Sequence, residues 1–307
     1  MKYRKLGKTD MRVSVIGIGT WQLGGEWGKT FEQAEVDAML AAASDLGINL
    51  IDTAACYGDH LSEKLIGQAI RGQRDKWIVA TKFGHKFHRP FERDQVYDPQ
   101  FVRNQLEDSL RALQTDYIDL YQWHGGSDEM FDTEGLWEML HEQVQSGKIR
   151  HLGISISRTY DGTHQIDTAS HIGIEAAQVV YNRLHHKHES HTFDVCTKQD
   201  LGVLARVPLA SGFLTGKYSK DSQFDQSDVR GRWFDQQQRQ EMIDQAQRVA
   251  SEVPDGVPMA QWALAWPLQH PAITSVIPGC KSVDQVKSNA EAADLDMVSL
   301  DHPQSVP

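Results

Sequence analysis

Short runs of β-branched and aliphatic residues recur along the chain, separated by longer stretches in which apolar residues return every three or four positions. The short runs fall at Val15–Gly19, Asn49–Asp52, Trp77–Lys82, Ile118–Trp123, Ile149–Ile154, Ala177–Tyr181, Gly202–Val207 and Thr274–Ile277, and each predicts a strand. Between the first two, Phe31–Leu46 puts Phe31, Val36, Met39, Leu40, Ala43 and Leu46 on one helical face. Phe101–Leu113 does the same with Val102, Leu106, Leu110 and Leu113, and Asp98–Pro99 ahead of it reads as a cap and a first-turn proline. Thr133–Gln145 and Gln237–Ser251 are also amphipathic at helical spacing. An opening stretch, Lys5–Val15, carries a turn signal at Gly7–Asp10 and predicts a hairpin before the first strand. Ala210–Asp235, rich in Gly, Ser, Asp and Gln, has no strand pattern and reads as an excursion placed to cover a ligand.

Strands alternating with helices favour a parallel sheet, because parallel neighbours need crossover connections. Eight such strands predict a (β/α)8 TIM barrel, an α/β fold, with an N-terminal β-hairpin and long loops at the C-terminal mouth. An open doubly wound sheet is the alternative. Against it, Gly17-Ile18-Gly19-Thr20-Trp21-Gln22 breaks the dinucleotide fingerprint expected after a first strand. No linker or repeat divides residues 1–307, so a single barrel domain is expected.

Composition narrows the function. With 40% hydrophobic residues the chain can fill a sizeable core, and a formal net charge of -11 argues against nucleic acid or an anionic membrane surface as partner. The N-terminus has no apolar run of signal-peptide length, and no later run would span a bilayer. Three widely spaced cysteines, Cys56, Cys196 and Cys280, fit a soluble, reduced, cytoplasmic protein.

In a closed parallel barrel the C-terminal strand ends converge on one mouth. Asp52 ends the second strand, with Tyr57 in the loop that follows; Lys82 ends the third, and His124 ends the fourth. Carbonyl reduction needs hydride at carbon and a proton at the developing alkoxide. Tyr57 is the candidate acid, Lys82 the ammonium expected to lower its pKa, Asp52 the carboxylate orienting Lys82, and His124 the donor polarising the carbonyl oxygen. Taken singly, each has a structural reading: an ion pair, a strand cap or a half-buried aromatic. Trp21, Trp27 and Trp123 are expected to wall the substrate site together with Tyr57 and His124, whereas Trp262 and Trp266, four apart, read as helix core.

The motifs I-D-T-A-A-C-Y-G (51–58), A-T-K-F-G (80–84) and Y-Q-W-H-G (121–125) resemble those of the aldo-keto reductases. The resemblance runs from Y-R-K-L-G-K-T (3–9) and G-I-G-T-W (17–21) to I-P-G-C-K-S (277–282), on a branch similar to potassium-channel β subunits. It implies Asp52, Tyr57, Lys82 and His124 as the catalytic set, with NAD(P)H lying across the barrel mouth. It also implies Thr20, Trp21 and Asp52 at the nicotinamide end, with Ser155 and Gln178 on the carboxamide. Ile156 replaces the family's usual Asn, and Ser157 is the nearby substitute. Arg206 stands where many relatives place an aromatic and is expected to stack on the nicotinamide. The segment containing Pro208, Leu209, Ser211, Gly212, Gly216 and Lys217 matches the pyrophosphate loop, while Gly279, Lys281, Gln285 and Asn289 match the adenosine site. Lys281 is the cation there, so NADPH is expected as cofactor, with NADH possible.

The function these readings predict is an NAD(P)H-dependent reductase of aldehydes or ketones, or the reverse reaction on sugars or polyols. The expected partner is a small carbonyl compound; oligomeric state is open. Two other classes compete: a cofactor-binding redox-sensing subunit with little turnover, and a metal-dependent hydrolase drawing on Asp52, His124 and the tract H-H-K-H-E-S-H (185–191). No functional metal is expected, since exposed histidine-rich loops rarely hold one. The H-K-F-H segment (85–88), Arg89 and Arg93 are expected in a variable, partly solvated loop, and Cys56 and Cys280 as buried, unreactive thiols.

Overall fold

A computed structural model describes residues Met1–Pro307. Eight parallel strands form its centre: β1 (Ile18–Gly19), β2 (Leu50–Asp52), β3 (Ile78–Phe83), β4 (Ile118–Trp123), β5 (Ile149–Ser155), β6 (Ile174–Val180), β7 (Gly202–Arg206) and β8 (Ser275–Ile277). Their order is sequential, and the two ends meet through parallel bridges between Ile16 and Val276 and between Gly19 and Gly279. Gly17 N–H donates to Val276 O at 2.8 Å and Val276 N–H to Val15 O at 3.0 Å. The sheet therefore closes into a barrel and the open alternative falls away. Strands covered on both faces can be apolar throughout, which is why every residue of β4 is buried.

Helices fill the crossovers. Gln33–Asp45 begins with a capping box between Glu32 and Glu35, and Pro99–Leu113 begins where Asp98 accepts from Phe101 N–H at 2.9 Å. Leu136–Gln145 starts three residues later than its apolar pattern predicts, because Gly135 before it sits at φ 74°. The helix Gln236–Val249 opens with a second capping box, Asp235 with Gln238.

The predicted hairpin pairs Tyr3–Lys5 with Arg12–Ser14, and Ser305–Val306 adds a third strand that periodicity did not reveal. It closes the bottom of the barrel, where Leu6, Met11 and Val13 pack on Leu50, Ala80, Leu120 and Leu204. The buried Arg4 guanidinium anchors it by donating to Ile273 O at 2.6 Å and Leu268 O at 2.9 Å.

Two segments at the other end shape the mouth. Residues expected to form a solvated loop are instead an antiparallel hairpin, His85–Arg89 with Glu92–Gln95, turning at Pro90–Phe91. The excursion after β7 holds a 3-10 turn, Ala210–Thr215, and a short helix, Val229–Trp233. No helix is long and apolar enough to cross a membrane.

Candidate active site

The parallel arrangement sends the C-terminal ends of β1 to β8 to one rim, and a cavity of about 860 Å³ opens there. Its wall includes Asp52, Tyr57 and His124. Lys82 is not on that wall; it lies one layer below, 1% exposed, donating to Asp52 Oδ2 at 2.7 Å and Thr53 O at 2.8 Å. Asp52 Oδ1 accepts from Gln178 Nε2 at 2.7 Å and Gln122 Nε2 at 3.3 Å, so both carboxylate oxygens are occupied. Gln122 went unnoticed in the sequence, although its register opposite Lys82 turns the two side chains to the same face.

The ammonium of Lys82 lies 5.3 Å from the centroid of the Tyr57 ring and gives two of its three N–H donors to Asp52 and Thr53. The expected lowering of the Tyr57 pKa does not follow from this arrangement. Burial, and then Asp52, hold the phenol well above its ordinary value, with Arg206 and Arg93 pulling the other way. Burial also lowers Lys82 against the opposing pull of Asp52.

His124 stacks on His85 at 4.3 Å between centroids and meets the Tyr57 ring edge-on at 6.0 Å. Burial holds His124 well below the ordinary histidine value, with His85 adding to the effect, so the imidazole is neutral near pH 7. Its Nδ1 is 3.6 Å from Cys56 Sγ. That thiol is pushed up by burial and stays protonated, so it can donate to His124 Nδ1 and leave the ring proton on Nε2. Cys56, His85 and His124 bring ligand-type atoms within 4.8 Å of one another, but Arg93 Nη1 donates to the same sulfur at 3.4 Å, and a dication there would face a guanidinium.

Trp21 and Trp27 line the cavity as expected, the Trp21 ring lying nearly parallel to Tyr57 at 6.1 Å and 23°. Trp123 does not. It is fully buried behind β4 against Tyr97 and Phe131, because its register partner Phe83 faces the helix layer and strand neighbours in register share a face. His85, Phe91, Arg93 and Gln95, all from the unforeseen hairpin, line the cavity in its place.

The positions assigned to the cofactor, Thr20, Ser155, Gln178, Arg206, Pro208, Leu209, Ser211, Gly212 and Lys217, lie along the same cavity, which continues to Gly279, Lys281, Gln285 and Asn289. Gly216 is the exception: it ends the 3-10 turn at φ 73° and supplies a bend without lining the space. Ser211 and Gly212 hold left-handed backbone at φ 58° and φ 95°, the latter suited to glycine. A Cβ at Gly279 would lie 2.1 Å from Gln22 Nε2. Arg206 donates to Ile156 O at 3.0 Å, and its Nε is buried without a partner. Ser157, which lines the cavity where the family Asn is missing, bonds to Thr159 within its own loop. At the far end Lys281 donates to Trp27 O at 2.5 Å and stands 3.8 Å from Asp228 Oδ2. Arg230, also on the wall and not foreseen, is held by the same Asp228.

The histidine tract disperses: His185 turns to Asn182, His188 to Thr192 at 2.9 Å, and His191 to Asp167 at 2.9 Å. Trp262 is core, as expected, and Trp266 packs partly buried on Tyr181.

Residues 15–304 match the model of the aldo/keto reductase family. The chain belongs to that family. Among curated relatives of this aldo/keto reductase, an Escherichia coli NADH-specific methylglyoxal reductase is 30% identical, over 98% of this chain and 96% of its own. A rice protein described as a probable voltage-gated potassium channel subunit beta is 28% identical, over 100% and 94%. The solved aldo-keto reductase AKR11C1 of Bacillus halodurans, in a holo form, superposes with a TM-score of 0.80 at 28% identity, covering 99% of this chain and 94% of that one.

Proposed function

We propose that this aldo/keto reductase is a nicotinamide-dependent carbonyl reductase in which Tyr57 delivers the proton. One observation carries the reading: the Tyr57 ring and His124 face a single cavity that continues to groups suited to a dinucleotide. Several of those groups carry a buried polar atom with no protein partner. Gln22 Oε1, Arg206 Nε and Asn289 Nδ2 are buried without hydrogen bonds, which is costly unless a ligand supplies them. Together with Gly279, where the absence of a side chain lets Gln22 lie against the backbone, they fit a bound NAD(P)H.

When bound, the reduced nicotinamide supplies hydride for the carbonyl carbon. The chain's own residues do the rest. Ser155 and Gln178 orient the carboxamide, and Arg206 stacks on the ring. His124, neutral and protonated on Nε2, donates to the carbonyl oxygen and stabilises charge developing there. Tyr57, kept protonated by burial, transfers its proton as that oxygen becomes an alkoxide. An alkoxide is far more basic than a phenolate, so a raised tyrosine pKa keeps the donor loaded without stopping the transfer. Lys82 and Asp52 fix the floor beneath the ring, and the Lys82 ammonium offsets the phenolate left behind. Trp21, Trp27 and Phe91 provide an apolar wall for the carbon chain.

NADPH is the cofactor we assign, with Lys281 as the cation for its 2′-phosphate. Because Lys281 already serves Trp27 O and lies close to Asp228, discrimination against NADH is expected to stay within about tenfold, ~1.4 kcal/mol. The three cysteines are free and buried, in keeping with a cytoplasmic setting. The test is a NADPH-oxidation screen across small aldehydes, ketones and sugars, run beside Tyr57→Phe. Turnover surviving that substitution with cofactor bound would overturn the acid assignment; tight cofactor binding without turnover on any carbonyl would favour a sensing subunit.

A further inference from the structure

Glu26, in the loop after β1, is a carboxylate with 0% exposure, set behind the cavity wall. Three donors converge on it. Trp21 Nε1 donates to Oε2 at 2.6 Å, Phe91 N–H to Oε1 at 2.6 Å, and Arg93 Nη2 to the same Oε1. Its backbone carbonyl also accepts from Val229 N–H at 2.9 Å. One residue therefore joins three mouth segments: its own loop, the hairpin His85–Gln95 and the excursion after β7. All three of its side-chain donors, Trp21, Phe91 and Arg93, line the cavity.

The position of Arg93 gives this latch a chemical consequence. Its second nitrogen, Nη1, reaches Cys56 Sγ at 3.4 Å, and Cys56 in turn adjoins His124, so the guanidinium stands beside the proposed carbonyl site. A bare guanidinium there would recruit a carboxylate or phosphate from the substrate. Glu26 already occupies it, and burial makes that pairing strong. Among the other wall cations, Arg230 and Lys281 share Asp228, while Arg206, with Arg158 beside it, and Lys217 stand on the side assigned to the cofactor.

We propose that Glu26 is a positioning and specificity residue: it clamps Trp21 and the hairpin into a substrate wall and cancels the charge of Arg93, so the pocket selects uncharged carbonyl compounds. The proposal rests on the reductase reading for the place of the carbonyl. It predicts that Glu26→Gln, which keeps the shape and an acceptor, frees Arg93 to bind anionic substrates.

The experiment compares butanal with 4-oxobutanoate, the same chain bearing a carboxylate, in wild type, Glu26→Gln, Arg93→Gln and the double variant. In Glu26→Gln the ratio of kcat/KM for the charged over the neutral aldehyde rises at least about tenfold, through KM, a fraction of the attraction between unit charges ~4 Å apart. Adding Arg93→Gln abolishes the gain. Arg93→Gln alone leaves an unpaired carboxylate and moves the ratio the other way, so the idea stays testable if Glu26→Gln folds poorly. A binding arm needs no turnover: titration of Trp21-dependent fluorescence with butanoate against butanamide follows the same order across the variants. Should none of the proteins reduce a carbonyl while butanoate affinity still rises in Glu26→Gln, the reductase reading fails and the latch stands. An unchanged ratio and unchanged butanoate affinity in folded Glu26→Gln, or a gain that survives in the double variant, overturns the proposal.

Discussion

Asp52→Asn tests the floor of the site most directly. The substitution keeps size and one acceptor oxygen but removes the charge that faces Lys82 at 2.7 Å, with the two groups 4% and 1% exposed. An ammonium buried that deeply would keep only neutral acceptors, Thr53 O and the new amide oxygen, with no charge to oppose its own. Breaking a buried pair from one side costs about 3–5 kcal/mol, because the remaining charge is left uncompensated. With an unfolding entropy near 2.1 cal/mol/K per residue over 307 residues, that is a fall of roughly 5–8 °C in Tm. The pH dependence carries a second signature. Without its carboxylate Lys82 titrates further below its ordinary value in the folded state, so the unfolded chain holds more protons; stability of the variant must then rise as pH climbs from 7 towards the ordinary lysine value of about 10.4. The assay is urea or thermal unfolding followed by circular dichroism, for wild type, Asp52→Asn, Lys82→Met and the double variant. Removing the stranded charge in the double variant should recover much of the stability while leaving reductase activity lost. If Asp52→Asn costs less than about 1 kcal/mol, or the double variant is weaker than Asp52→Asn alone, Asp52 and Lys82 are not the coupled pair described here.

Three further outcomes are expected. Tyr57→Phe lowers kcat by about 10²–10⁴-fold, the usual contribution of a positioned proton donor, with NADPH affinity by fluorescence titration little changed. His85, His188 and His302 are each pushed down to about 4 by burial, so the folded state resists their protonation. Stability is full above pH 6.5 and drains as pH falls from there to 4, by up to roughly 3 kcal/mol per histidine; a flat urea midpoint across that window contradicts it. Lys281→Ala weakens NADPH about tenfold and leaves NADH nearly untouched in paired Kd measurements, and an equal loss for both would remove Lys281 from the 2′-phosphate.

The chain's own pattern was enough for the barrel and for the order of its parts. Alternating strand and helix periods leave a parallel sheet as the economical arrangement, and the positions of Asp52, Lys82 and His124 at or just after strand ends follow from where the apolar runs stop. Gln122 and Trp123 were legible too, in principle: once Lys82 faces inward, register puts Gln122 beside it and Trp123 on the outer face with Phe83. What periodicity cannot carry is the contact between loops. Glu26 and Arg93 belong to segments that meet only when the barrel brings the β1 and β3 ends together, and His85 meets His124 only through the neighbouring β4 end, so the ion pair, its burial and the histidine stack have no local signal. The same holds for the state of Tyr57, whose phenol is governed by how much water the folded mouth excludes more than by the lysine that the sequence places near it. Local pattern fixes which residues arrive at the rim; desolvation and loop packing, which exist only in three dimensions, fix what they do there.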